Sequence, residues 1–161
     1  MATPVSEQIA VVVRSRLAAI STTAGYETTT SGAIRPTKQG GFQPKDYQII
    51  VSKVSNARVN IYPGNPAKIE RNLQFNIRAI VRPSDADPTA IDTLVDTFAA
   101  DVTKALTNVA NWHSFGGLAI NAVTDETADY ETDGEGAAGY MSTTLNVIYR
   151  HPENDPYTVS A

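Results

Sequence analysis

Residues 69–111 read IERNLQFNIRAIVRPSDADPTAIDTLVDTFAADVTKALTNVAN, and this stretch decides the fold class. Leu73, Phe75, Ile77, Ala79 and Val81 alternate with Asn72, Gln74, Asn76 and Arg78, the period of a strand with one buried face. Five residues later Asp87-Pro88 opens a different pattern. Ile91, Leu94, Val95, Phe98, Val102, Ala105, Leu106 and Val109 recur at helical spacing, with Asp87 predicted as N-cap and Pro88 at the first helical position. A strand whose inner face needs covering is followed directly by a helix able to cover it. The expectation is an α+β protein in which the best-defined part carries no catalytic machinery.

Working toward the amino terminus, Ile9, Val12, Val13, Leu17 and Ile20 form the buried stripe of a first helix. Thr3 is its expected cap, Pro4 its first residue and Gly25 its stop. Residues 26–35 are rich in β-branched side chains and read as a strand. Residues 36–44, PTKQGGFQP, form a polar Gly-rich loop around Phe42. Strands are expected over 47–54 and 58–62, then a firm turn at Pro63-Gly64-Asn65-Pro66. Toward the carboxy terminus, residues 118–132 and 140–150 alternate and read as a hairpin. Met141, Thr143, Leu145, Val147 and Tyr149 share one parity of its second arm. The tail, HPENDPYTVSA, has two prolines and little to bury, and reads as an arm over 151–161 or a disordered end. The predicted order is α-β-β-β-β-α-β-β. It describes one α+β domain over 1–150, an antiparallel or mixed sheet of about five to six strands with both helices on one face.

Composition narrows the function. The chain has 161 residues, 42% hydrophobic and 19% charged, which suits one domain with one core. No apolar run reaches the roughly 18 residues of a membrane span, and MATPVSEQ lacks the pattern of a secretory signal. With no cysteine there is no disulfide, thiolate metal site or cysteine nucleophile, as in a protein made in a reducing cytoplasm. The net charge of −4 is unevenly spread. Residues 1–62 hold seven basic and three acidic side chains, whereas residues 116–161 hold one basic and eight acidic ones. Such asymmetry is a cue for directional contacts, although solvated faces also differ in charge without consequence.

Several motifs mimic chemistry and fail on context. Gly134-Glu135-Gly136-Ala137-Ala138-Gly139 spells a dinucleotide-binding G-x-G-x-x-G, but a strand follows it where a helix must hold the pyrophosphate. Six acids between Asp125 and Glu135 would also repel phosphate. Asp129, Glu131, Asp133 and Gly134 resemble the start of an EF-hand loop. Its twelfth position is Tyr140 instead of a bidentate Glu, leaving at most an adventitious cation site. His113 and His151 are isolated, so neither a metal cluster nor a His-Ser-acid hydrolase is expected, and no phosphate loop occurs. His113 is read as complementing the negative end of the second helix, and His151 as a loop residue. The expectation is a non-enzyme with no cofactor and no metal.

Two groups remain as candidate contact surfaces. Phe42 of the Gly-rich loop and nearby Lys38 and Lys45 are candidates for subunit or partner contact. Asp125, Asp129, Glu131, Asp133 and Glu135 share strand parity and form an acidic ridge. The plain reading of that ridge is a wet edge strand protected by charge. The functional reading is a surface that faces a basic neighbour or a nucleic-acid passage that must not adhere.

The opening helix ending in Ala24-Gly25-Tyr26, the early strands with their Pro/Gly loop, the 69–82 strand, the Pro88 helix and the hairpin closing on Val147-Ile148-Tyr149-Arg150 together resemble the tail terminator proteins of long-tailed bacteriophages. These are also called tail completion or tail-to-head joining proteins. The likeness spans residues 4–157 and is one of element order. It implies a virion protein of the tail or neck, assembled in the host cytoplasm, that forms a hexameric ring. Its implied partners are copies of itself, the tail tube protein and the head-side connector, with genomic DNA passing through the lumen unbound and no membrane. The runner-up in the same class is a head-closure or minor tail protein. From another class, a small ligand- or nucleic-acid-binding α+β module remains open.

Overall fold

The computed structural model describes residues 2–35, 47–82, 90–125, 129–132 (backbone) and 138–160. Helix α1, Val5–Ala18, buries Val5, Ile9, Ala10, Val13 and Leu17 along one stripe. Its cap is Pro4, one residue later than expected. The Pro4 backbone is still extended (ψ 147°), and its carbonyl accepts the first helical bond from the Gln8 N–H at 3.0 Å. The helix stops at Ala18, and a separate 3-10 turn, Thr22–Ala24, intervenes before Gly25, whose φ of 84° closes that turn.

Strand β1 is only Ala33–Ile34, so most of the predicted 26–35 strand is irregular. Strand β2 runs unbroken over Tyr47–Tyr62, where two strands were expected. It turns through residues 63–67 into β3, Lys68–Val81. Helix α2, Ile91–Thr107, follows with Ala90 as its cap. Asp87 and Pro88 lie outside the described residues, and the helix begins three positions after Pro88. Strands β4 (Asn121–Thr124), β5 (Asp129–Thr132) and β6 (Gly139–Pro152) complete the chain. Among the described residues three strands precede α2 and three follow it, against the expected four and two.

The sheet order is β1-β2-β3-β6-β4, with β5 beside β6. β1 is parallel to β2 and the other pairings are antiparallel, so the sheet is mixed. β3 pairs with one edge of β6 along its whole length, which leaves the other edge to both β4 and β5. The register aligns buried side chains in rows across strands: Ile49, Ala79 and Met141 in one, Leu73, Val147 and Ala122 in another. These rows and their neighbours, Phe75 and Leu145 among them, make up the core face. Both helices cover it. α1 lies over β1 and β2, and α2 over β3 and β6 with Val95, Phe98, Ala99, Val102, Ala105 and Leu106 buried.

The opposite face has neither helix on it. Asn72, Gln74, Asn76, Ser142, Thr144 and Asn146 occupy its centre. Arg78 stacks on Tyr140 at one end, and Arg150 pairs with Glu70 and Tyr62 at the other. Beyond β6 the chain folds back: Pro156 accepts from the Val5 N–H, Tyr157 from the Gln8 side chain, and Val159 packs against the core. Among the described residues no helix is long and apolar enough to cross a membrane.

Candidate interaction surfaces

Charge is placed by the fold at the two margins of the sheet. On the β2 side, Glu7 of α1 faces three cations. Lys53 Nζ donates to Glu7 Oε2 at 2.8 Å, while Arg14 Nη2 and Arg35 Nη1 donate to Oε1 at 3.0 and 3.4 Å. Glu7 and Arg14 are two helical turns apart and therefore share a face of α1. Lys53 lies on the helix-side parity of β2, two residues beyond buried Val51, where the burial of the strand ends. Arg35 follows β1 directly and is 65% exposed. Between them opens a cleft of about 230 Å³, floored by Val51 and Phe75. The Lys53 ammonium, opposed by partial burial and helped by Arg14, holds the Glu7 carboxyl below the usual glutamate range. One carboxylate among three cations leaves the cleft with an excess of positive charge.

The other margin is acidic. The Asp125 N–H bonds to the Thr144 carbonyl, Asp129 is in register with Ser142, and Glu131 with Tyr140. These three acids therefore sit at one parity along the outer edge of β6. Asp133 and Glu135 of the predicted ridge, and the glycine-rich tip through Ala137, lie outside the described residues. So do Lys38, Phe42 and Lys45. The chain leaves the described structure at Arg35, beside the cleft, and returns at Tyr47, the first residue of β2, so these three belong to the segment bridging those points.

Two polar groups not singled out in the sequence, Asp101 and Arg16, tie separate elements together. Asp101 of α2 is 3% exposed; it accepts from the Thr28 N–H (2.8 Å), the Thr28 hydroxyl (2.6 Å) and, at 3.3 Å, the Glu27 N–H. Arg16 of α1 donates to the carbonyls of Leu106 and Trp112 and stacks on Phe115, capping the negative end of α2. Burial lowers the pKa of its guanidinium. That role had been assigned to His113, which instead stacks edge-on to Trp112. His151 is a buried strand residue: its Nε2 accepts from Arg71 Nε at 3.0 Å, and its Nδ1 bonds the Pro152 carbonyl. The Arg150 guanidinium, bonded to Glu70 and Tyr62, has its pKa raised above the ordinary arginine value.

Among the described residues no group of His, Asp and Glu converges as a metal site. The described residues place a cationic cleft at one edge of the sheet and acidic positions at the other. The sequence signal of the cleft is partial: Lys53 interrupts the apolar parity of Ile49 and Val51, but no spacing shows that Glu7, Arg14 and Arg35 come to meet it. No protein-family model matches this chain, and no match is found among curated proteins.

Proposed function

We propose that this chain is a structural protein of a phage tail or neck, which forms a hexameric ring that terminates the tail tube and joins it to the head-side connector. A closed ring of identical subunits needs a heterologous interface, where two different surfaces of each subunit meet. The observation that carries the reading is the separation of charge across one sheet. The cleft at Glu7, Arg14, Arg35 and Lys53 lies at the β2 margin, and Asp129 and Glu131 lie at the β5 margin. Opposite charges on opposite edges favour head-to-tail encounter and disfavour like-with-like contact. The amide- and hydroxyl-rich sheet face supports passage of DNA, since retention grows with each phosphate that a cation neutralises. On this reading no bond is made or broken by the protein, and its partners are further copies, the tube and the connector.

Native mass spectrometry of the purified chain, alone and incubated with isolated tail tubes, tests the proposal. A closed oligomer of fixed size, free or on the tube end, is expected. A strict monomer that ignores tubes and binds oligonucleotides would contradict it.

A further inference from the structure

We infer that the far half of β2, with Arg71 opposite it on β3, docks an extended acidic segment of another protein. The inference goes beyond the ring reading and does not rest on it. Every residue of β2 from Lys53 to Ile61 is exposed. The ladder sets Lys53 against Phe75, Asn56 against Leu73, Arg58 against Arg71 and Ile61 against Ile69, and these four β3 residues share the parity of the core face. Lys53, Asn56, Arg58 and Ile61 therefore line the same face of β2, with its two register shifts absorbing the uneven spacing.

The two arginines are the centre of this surface. Directly opposed side chains in such a pair lie about 5 Å apart at Cβ, and like charges there cost stability. Arg71 Nε donates to His151 Nε2 at 3.0 Å and its Nη1 to the Asn56 carbonyl at 3.1 Å, both neutral acceptors. Asn56 is tied in turn by the Tyr149 hydroxyl, which donates to its Oδ1 at 3.1 Å, so the Arg71 guanidinium is held in place. Among the described residues Arg58 makes no hydrogen bond or ion pair, and no carboxylate bonds either arginine. A pairing that costs the free chain stability is of the kind found where a partner completes it. A carboxylate received between two guanidinium forks satisfies both.

The neighbours of the pair decide the class of partner. Val54, Val59 and Ile61 are all exposed and interleave with Lys53 and Arg58. Apolar surface set with arginine suits a protein interface. A single nucleic-acid strand needs aromatic faces to stack on, and residues 53–61 hold none. β1 meets this margin of β2 only at Ile49 and Ile50, and the register shifts interrupt a regular ladder beyond them, so side chains make the contact. A second copy offering the same strip would bring like charge to like. The occupant is therefore a different protein, with acidic residues alternating with apolar ones.

Fluorescence anisotropy of a short labelled peptide in which Glu alternates with Val tests the inference. The same peptide with Gln for Glu, and a duplex oligonucleotide, serve as the other probes. The Glu peptide is expected to bind, to lose affinity as salt is added, and to shift backbone amides at residues 53–61 in NMR spectra. The Gln peptide and the duplex should bind more weakly. Arg58→Glu should weaken binding of the Glu peptide about tenfold, the loss of one interfacial arginine. In the free chain the same change should raise the urea midpoint, because a carboxylate then faces Arg71. These opposed responses separate a docking residue from one that only supports the fold. Equal binding of the Glu and Gln peptides, tighter binding of the duplex, no binding of any probe, or an Arg58→Glu chain that binds as well as the parent would each overturn the inference.

Discussion

Asp101 shows how one carboxylate can tie two segments far apart in sequence. It sits on the buried stripe of α2 between Phe98 and Val102, and its three accepted bonds hold the loop at Glu27 and Thr28 against the helix. Replacing it with Ala strands the Thr28 donors in a buried place. Asp101→Ala is expected to cost on the order of 3 kcal/mol, read as a lower urea midpoint, and Asp101→Asn less because one oxygen remains. Glu7 gives a second test. Its folded pKa is held below the ordinary value of 4.5, so its stabilisation is present above that value and is lost as pH falls through the lowered one. Parent and Glu7→Gln should differ in urea midpoint at neutral pH and converge as pH falls below the ordinary glutamate range. A constant gap would contradict the assigned pairing. Both acids had a trace in the sequence. Asp101 falls at the i+3 position after Phe98, inside the apolar stripe, but spacing alone does not reveal which loop comes to meet it.

At the scale of elements, the long strand and the second helix were legible because their periodicities are unbroken. β2 was not, and the reason lies in its ladder. Register shifts at Lys53/Ser55 and Arg58/Asn60 each insert an extra residue, so its parity changes twice and one strand looks like two. The same bulges, with Lys53 and Arg58 nearby, blunt an edge that exposes Val54, Val59 and Ile61. The predicted first arm of the final hairpin divides into β4 and β5 for a related reason: from Asp125 to Asp129 the chain spends four residues while β6 advances two. Helix placement depends on one close approach. A Cβ on Gly139 would collide with Val95 and crowd Ile91, so α2 rests directly on the start of β6. Gly139→Ala should destabilise by about 1–3 kcal/mol. Combined with Val95→Ala, which clears the space, it should cost less than the sum of the two single changes. Additive costs in urea denaturation would place the helix elsewhere.

At the scale of the whole molecule, the charge asymmetry was visible in the sequence, but its geometry was not. Composition shows a basic first third and an acidic last third. Only the pairing order puts β1 and β2 at one margin and β4 and β5 at the other, because β6 returns to the middle beside β3. The basic partner surface was expected in the Lys38, Phe42 and Lys45 loop. That loop lies outside the described residues; among those, a cationic cluster lies at Arg35 and on β2 and α1. Such a cluster could not be read linearly, since it joins residues 7, 14, 35 and 53 through packing. The most direct test of the central claim is to locate the chain in intact particles by electron microscopy with a label on Ala100, on the exposed side of α2. One ring of label at the head-proximal end of the tail is expected; label spread along the tube, or none in the particle, would contradict a terminating ring.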